Sequence, residues 1–322
     1  MAPKKDRKRK FINGICILIY LSGVLFFALP DLRGIANQIA NFQVANEFKK
    51  EVSKLETTQK EDSSAAKNET DHNADLDALL LKMQEYNQLI YVNGQSELKD
   101  PWSYEQSALD LEEYGVAEDV IGIITIPKMD IEVPIYQGAT TGNMDKGAVL
   151  LGQTSFPIEG TNSNSVIAAH RGWRGNKLFR EIEKLEPGDT LTIQNYWEML
   201  TYKVSDIRII MPDDIDAVLI QPGKNMVTLL TCHPYTKTDR RYAVFCEKME
   251  EEIPESGNQD KDGQTEGEQD ASENAENAQQ VREQAEAEDS ALIRRDKIGR
   301  AVGYIAAAVL GIMIFSVIRK KE

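Results

Sequence analysis

A cysteine ends the run Thr228-Leu229-Leu230-Thr231-Cys232, and a histidine ends a second one, Ser165-Val166-Ile167-Ala168-Ala169-His170. Two arginines, Arg240 and Arg241, open a third. A thiolate is a strong nucleophile but needs a cation or base beside it to be populated and used. Sulfur, imidazole and guanidinium together suffice for acyl transfer. The sulfur attacks a carbonyl, the imidazole protonates the departing amine, and the guanidinium stabilises the oxyanion. The same residue types also have bland readings, the cysteine as a small buried hydrophobe and the histidine as a hydrogen-bonded structural group. Either arginine can return toward Cys232 across a short loop, and residue types alone do not choose between them. His233, adjacent to Cys232 on a strand, points to the opposite face and does not replace His170. Cys246 reads as core packing. With Cys16 and His72 the totals are three cysteines and three histidines, too few for a disulfide scaffold or a structural zinc site.

These residues must be held by something, and the pattern from Val120 onward is that of short strands. Val120–Ile126 and Ile131–Ile135 are β-branched and punctuated by Pro127 and Pro134. Further runs follow at Ala148–Leu151, Ser165–Ala169, Thr190–Gln194, Leu200–Ile210, Met226–Cys232 and Tyr242–Phe245. Turn residues separate them, among them Pro187-Gly188-Asp189 and Gln221-Pro222-Gly223. With one helix expected at Lys177–Leu185, the pattern predicts a mainly β fold, an eight-stranded closed or nearly closed barrel over residues 118–247. Upstream, Leu76, Leu79, Leu80, Met83, Tyr86 and Leu89 form the stripe of an amphipathic helix, within a stalk-and-helix region at 30–98.

Both ends of the chain carry long apolar stretches. Phe11–Leu29 is uncharged and follows the basic cluster of residues 4–10; Ala301–Ile318 is uncharged and precedes Arg319-Lys320-Lys321. A helix of about twenty residues spans ~30 Å, the hydrocarbon thickness of a bilayer. A cleaved signal peptide shares the basic-then-apolar opening, but its apolar region is shorter and Leu29-Pro30-Asp31 is a poor cleavage site. Two uncleaved spans are therefore expected, at 11–29 and 300–318. The positive-inside rule places both short tails, 1–10 and 319–322, in the cytoplasm and the body outside. The net charge of −15 is localised: between Glu247 and Ser290, 16 acidic residues face 3 basic ones, a balance of −13 that leaves −2 for the remainder. Residues 248–299 accordingly read as an acidic disordered tether, with some helix allowed at Ala271–Glu288.

Thr228-Leu229-Leu230-Thr231-Cys232 resembles the T-L-x-T-C signature of sortases, the Gram-positive surface transpeptidases. Ala169-His170-Arg171-Gly172 resembles the family's histidine motif, and Ile123–Gln137 and Gly147–Pro157 resemble its first strands. In pilin-type members the arginine lies nine residues after the cysteine, which falls on Arg241. Asp100-Pro101-Trp102, in a region bounded as 99–117, is similar to the Asp-Pro-aromatic lid of class C, the pilus-assembling members. The resemblance implies that Asp100 pairs with Arg241 and that Trp102 shields Cys232. Two positions depart from the class pattern: His233 follows the cysteine, and Arg240 stands before the arginine.

The implied function is that of a membrane-anchored cysteine transpeptidase with Cys232, His170 and Arg241 as its catalytic residues. It would cleave an LPXTG-like sorting signal between Thr and Gly and pass the acyl group to an acceptor amine. That amine is a pilin lysine in pilus assembly, or a cell-wall peptide if the enzyme anchors proteins to peptidoglycan. A non-catalytic tethered scaffold is the reading from another class. No metal or organic cofactor is called for, calcium modulation stays open, and the expected partners include the bilayer but no nucleic acid. The implied location is the outer face of a Gram-positive-type cell membrane.

Overall fold

The computed structural model describes residues 4–60, 67–98, 108–116, 119–172, 176–235, 237–250 and 265–319. Two long helices come first, α1 (Lys4–Lys60) and α2 (Lys67–Val92). The strands follow as β1 (Val120–Ile126), β2 (Ile131–Gln137), β3 (Ala148–Leu150), β4 (Ser163–Ala168), β5 (Thr190–Gln194), β6 (Met199–Ile210), β7 (Asn225–His233) and β8 (Arg240–Lys248). A short helix α3 (Thr141–Lys146) lies between β2 and β3, and α4 (Thr265–Arg319) closes the chain. The strands form a closed barrel in the order β1-β2-β3-β4-β7-β8-β6-β5. Pairs β2/β3 and β4/β7 are parallel; the other neighbours are antiparallel. Closure removes the free edges that an open sheet of this size must protect.

The β-branched runs occupy the barrel wall as their pattern predicts, and all eight expected strands are present within a few residues of their expected ends. Val120–Ile126 is buried almost throughout, and α1 packs against this side of the barrel, where Phe48 lies 4.6 Å, centroid to centroid, from Tyr196, just past the end of β5. Where β2 meets α3 the backbones approach closely. A Cβ on Gly147 would lie 2.8 Å from the Pro134 carbonyl oxygen and 2.9 Å from the Tyr136 ring. Gly147→Ala is expected to lower the urea unfolding midpoint by the equivalent of about 1–3 kcal/mol, the usual cost of overpacking. An unchanged midpoint would show that this corner yields.

Three differences from the sequence reading have physical causes. Lys177–Leu185 is not a regular helix: Leu178 takes a left-handed φ of 40°, and only Ile182–Lys184 forms a single 3₁₀ turn. The segment sinks Leu178, Phe179, Ile182 and Leu185 into the core, a denser apolar load than one helical face carries. In α2 the buried stripe is Leu76, Leu79, Met83 and Ile90, while Leu89 faces outward. Of the two readings of the polar stretch from Gln38, polar helix or flexible stalk, the helix is found as far as Lys60, as a continuation of α1. The tether expected at 248–299 is helical from Thr265 onward, and Ala278, Ala285 and Asp289 are buried against the barrel. Alanines at i and i+7 let the helix approach closely without the large apolar stripe that marks docking in a sequence.

Among the described residues, Glu276–Ile314 is a helix long and apolar enough to cross a membrane. Phe11–Phe26 and Asp31–Leu55, bent by 47° at the break between them, together make a second candidate. Pro30 lies in that break, where the missing N–H disrupts the helical ladder. The two apolar segments touch each other: the Tyr20 hydroxyl donates to the Ala307 carbonyl at 2.9 Å, and Arg300 pairs with Asp31 at 2.8 Å.

Candidate active site

The β7/β8 register sets Cys232 directly opposite Arg241, and His233 opposite Arg240. Directly opposed residues of an antiparallel pair share a face, and successive residues alternate faces. Cys232 and Arg241 therefore stand together on one side, His233 and Arg240 on the other. On the opposite flank of β7, the parallel ladder with β4 pairs Ala168 with Leu230, and the Ala169 amide still donates to the Leu230 carbonyl at 3.1 Å. Continued two positions, this register brings His170 abreast of Cys232 on the face Cys232 shares with Arg241. The three residues singled out in the sequence converge at one end of neighbouring strands.

The surroundings fix each of them. The Thr231 hydroxyl donates to the Ala169 carbonyl at 2.7 Å, tying β7 to the backbone just before His170. The Phe179 amide donates to the His170 carbonyl at 3.1 Å, so the irregular segment after β4 clamps the histidine from its other side. The Arg241 guanidinium donates to the carbonyls of Thr238 and Arg240 at 2.8 and 3.1 Å, which orients it within its own loop. Arg240 instead reaches Glu288 of α4 at 2.6 Å. In the pairing register it is Arg241, the arginine that the family spacing also points to, that stands opposite Cys232, while Arg240 stands opposite His233.

Cys232 is 8% exposed and Arg241 4%. Cys246, opposite Val227 near the far end of the β7/β8 ladder, is fully enclosed, and burial pushes its thiol up. None of the three cysteines is in a disulfide. In the native protein, iodoacetamide at mildly alkaline pH is expected to label Cys232 well before Cys246; equal rates would contradict the assignment of an accessible nucleophile.

Behind this face lies a cluster that the sequence did not single out. Arg171, next to His170, donates to the His233 Nδ1 at 2.9 Å and to the Cys232 carbonyl at 3.4 Å. It also pairs with Glu183 at 2.9 Å and with Asp289 of α4 at 2.5 Å. A guanidinium has no acceptor, so His233 Nδ1 must accept here, and the tautomer this requires carries its proton on Nε2, 3.3 Å from Glu288. Burial pushes the Glu183 carboxyl up against the opposing pull of Arg171. Gly172 is the one signal that could have revealed the crowding: its φ is 80°, and a Cβ there would lie 2.5 Å from the Arg180 Nε. Asp100 and Trp102 lie outside the described residues. The chain on either side of them is fastened, with Leu98 and Leu111 buried and the Gln137 side chain bonded to both the amide and carbonyl of Leu109. Among the described residues, no three His, Cys, Asp or Glu side chains group as a metal site requires.

Fold and site together define a closed barrel that presents a thiol beside a guanidinium and an imidazole at the end of a parallel strand pair. The family model of the sortase domain matches residues 124–249, which span this barrel. Sortase D of Bacillus subtilis is 28% identical over 131 residues, 40% of this chain and 63% of the relative. Sortase A of Staphylococcus aureus is 29% identical over 120 residues, 37% of this chain and 57% of the relative. The match thus covers less than two thirds of these curated relatives. Among solved structures, the pilus-related Sortase C of Group B Streptococcus is 31% identical with a TM-score of 0.51, covering 55% of this chain and 91% of that one. Sortase C1 of the Group B Streptococcus pilus island 1 is 27% identical with a TM-score of 0.53, covering 68% and 97%. The chain belongs to the sortase family.

Proposed function

We propose that this chain is a class C sortase, a cysteine transpeptidase that joins pilin subunits. The observation that carries the reading is the register that sets Cys232 opposite Arg241, and the β4/β7 ladder, which carried two residues past its last pair Ala168–Leu230 leads to His170 abreast of Cys232, supports it. In the first half-reaction the Cys232 thiolate attacks the Thr carbonyl carbon of an LPXTG-like signal. Arg241 stabilises the oxyanion or positions the signal backbone. The Thr–Gly C–N bond breaks as His170 gives its proton to the leaving Gly amine, and a thioester remains on Cys232. In the second, an acceptor amine attacks the thioester, His170 takes its proton, and the thiolate leaves. The streptococcal neighbours described as pilus-related, and the second apolar segment at the C-terminus, support a pilin lysine as that amine.

The location that goes with this activity is the outer face of the membrane. Basic residues flank both apolar segments on the side of the chain termini, which supports cytoplasmic ends and an external barrel. The resemblance of Asp100-Pro101-Trp102 to the class C motif supports a lid role for this segment, with Asp100 as the partner of Arg241. Replacing both with alanine is expected to speed alkylation of Cys232; an unchanged rate would remove the lid from the account.

A competition experiment tests the acceptor. The full-length protein in detergent is given an LPXTG-type peptide with equal amounts of a lysine-containing pilin peptide and a cell-wall-type peptide amine. Dominant amide formation at the lysine is the expected product. Dominant transfer to the cell-wall peptide would make the protein a peptidoglycan-anchoring sortase, and no processing with an unreactive Cys232 would leave a scaffold.

A further inference from the structure

Two consecutive carboxylates of α4 reach three residues of the barrel, and each of the three is the immediate chain neighbour of a proposed catalytic residue. Asp289 pairs with Arg171, next to His170, at 2.5 Å, and lies 3.5 Å from His233, next to Cys232. Glu288 pairs with Arg240, next to Arg241, at 2.6 Å and approaches His233 at 3.3 Å. Asp289 also accepts the Tyr235 amide at 2.6 Å, so the two residues beyond His233 are fixed to the helix as well. His233 and Asp289 are both fully buried, and the Arg171 guanidinium lies 5.4 Å over the Tyr242 ring on the same side.

Alternation explains the arrangement. If Cys232 and Arg241 face the substrate, their neighbours face the reverse side, and α4 occupies that side. The helix is seated independently further along, where Arg282 donates to the Glu183 carbonyl at 3.1 Å and pairs with Glu186 at 2.6 Å. It then continues without a break into the apolar segment of residues 301–318.

We infer that α4 is a working part of the active site and that Asp289 is a positioning residue for the thiol and imidazole. This rests on the transpeptidase reading above. Asp289 holds Arg171 in the one orientation that reaches both the Cys232 carbonyl and His233. Through Arg171 it fixes the backbone that carries His170, and through the Tyr235 amide it fixes the backbone that carries Cys232. The membrane-bound helix thereby sets the spacing between nucleophile and acid, and a barrel from which it is released holds the same residues in looser register.

The test uses full-length protein in nanodiscs, with wild type, Asp289→Asn and Asp289→Glu compared for acylation by an LPXTG-type peptide. Asp289→Asn keeps the shape and an acceptor for Tyr235 but removes one of the two carboxylate charges that Arg171 pairs with, leaving Glu183 on the barrel side and releasing the hold of α4. Its kcat is expected to fall by about 10²-fold, the size of effect that a misplacement near 1 Å produces, with KM little changed and partial recovery in Asp289→Glu. Alkylation of Cys232 is expected to become several-fold faster in the same variant, with near-ultraviolet circular dichroism unaltered. Wild-type kcat and wild-type alkylation in folded Asp289→Asn would overturn the inference. Should that variant fail to fold, Arg171→Lys, which keeps the charge but cannot reach Asp289, His233 and the Cys232 carbonyl together, carries the same expectation of lowered kcat, and wild-type kcat there would overturn the inference. A wild-type protein that never acylates would refute the transpeptidase reading instead, while alkylation of the variants would still report whether α4 sets the thiol.

Discussion

Cys232→Ala is expected to reduce cleavage of an LPXTG-type peptide to the uncatalysed level, a loss on the order of 10⁶-fold, as when the nucleophile of a comparable hydrolase is removed. The reason is that every later step passes through the thioester. In the proposed reaction Arg241 and His170 stabilise charge and move a proton, but neither supplies a bond to the acyl group. The fold should survive, because only one sulfur atom is lost from the rim of the strand pair. A chromatographic assay of the released glycine fragment reads the result directly. Residual cleavage near the wild-type rate would move the chemistry to another residue, and Cys246 is enclosed in the barrel wall and unsuited to replace it.

Arg241→Ala and His170→Ala are expected to be nearly as damaging, for separate reasons. Removing a donor aimed at a developing oxyanion costs about 10²–10³-fold, and removing a general acid costs about 10²–10⁴-fold. Arg241 lies opposite Cys232 with its guanidinium oriented by two loop carbonyls, so its loss strips positive charge from the face that bears the thiol. Arg240→Ala is expected to cost much less, because that side chain points to Glu288 on the other face. The comparison is made by kcat/KM on the same peptide. If Arg240→Ala proves the more crippling of the two, the registry argument for Arg241 fails.

Most of the barrel was legible in the sequence because strands of this kind announce themselves: β-branched runs such as Val120–Ile126, separated elsewhere by turns such as Pro187-Gly188 and Pro212-Asp213, have few other ways to fold. The convergence of Cys232 and His170 was legible only through motif resemblance, since β4 and β7 are parallel neighbours separated by two intervening strands in the chain. Arg241 was preferred over Arg240 on family spacing alone, because a loop absorbs one residue without a trace in composition; the pairing register, which sets Arg241 opposite Cys232, is information the sequence does not carry. Segment Lys177–Leu185 misled because its apolar spacing resembles a helical stripe, while burial of four large side chains bends it into turns. The helix α4 was hidden for the opposite reason. Its docking face consists of Ala278, Val281, Ala285 and Asp289, small and acidic residues whose partners lie more than fifty positions upstream, so the segment reads as solvated. The short helix α3 is set by the Thr140 hydroxyl, which accepts the Asn143 amide at 3.2 Å, a local cap too brief to produce periodicity.

The claim on which the whole account turns is that Cys232 becomes acylated. Incubating the full-length protein with an LPXTG-type peptide in the absence of any acceptor amine, followed by acid quench and mass spectrometry of its proteolytic fragments, addresses it without assumptions about the final acceptor. The account predicts that the fragment containing Cys232 gains the mass of the peptide up to its threonine, and that hydroxylamine removes it. Cleaved peptide with Cys232 unmodified under conditions that trap a thioester, or the added mass on any other residue, would contradict it.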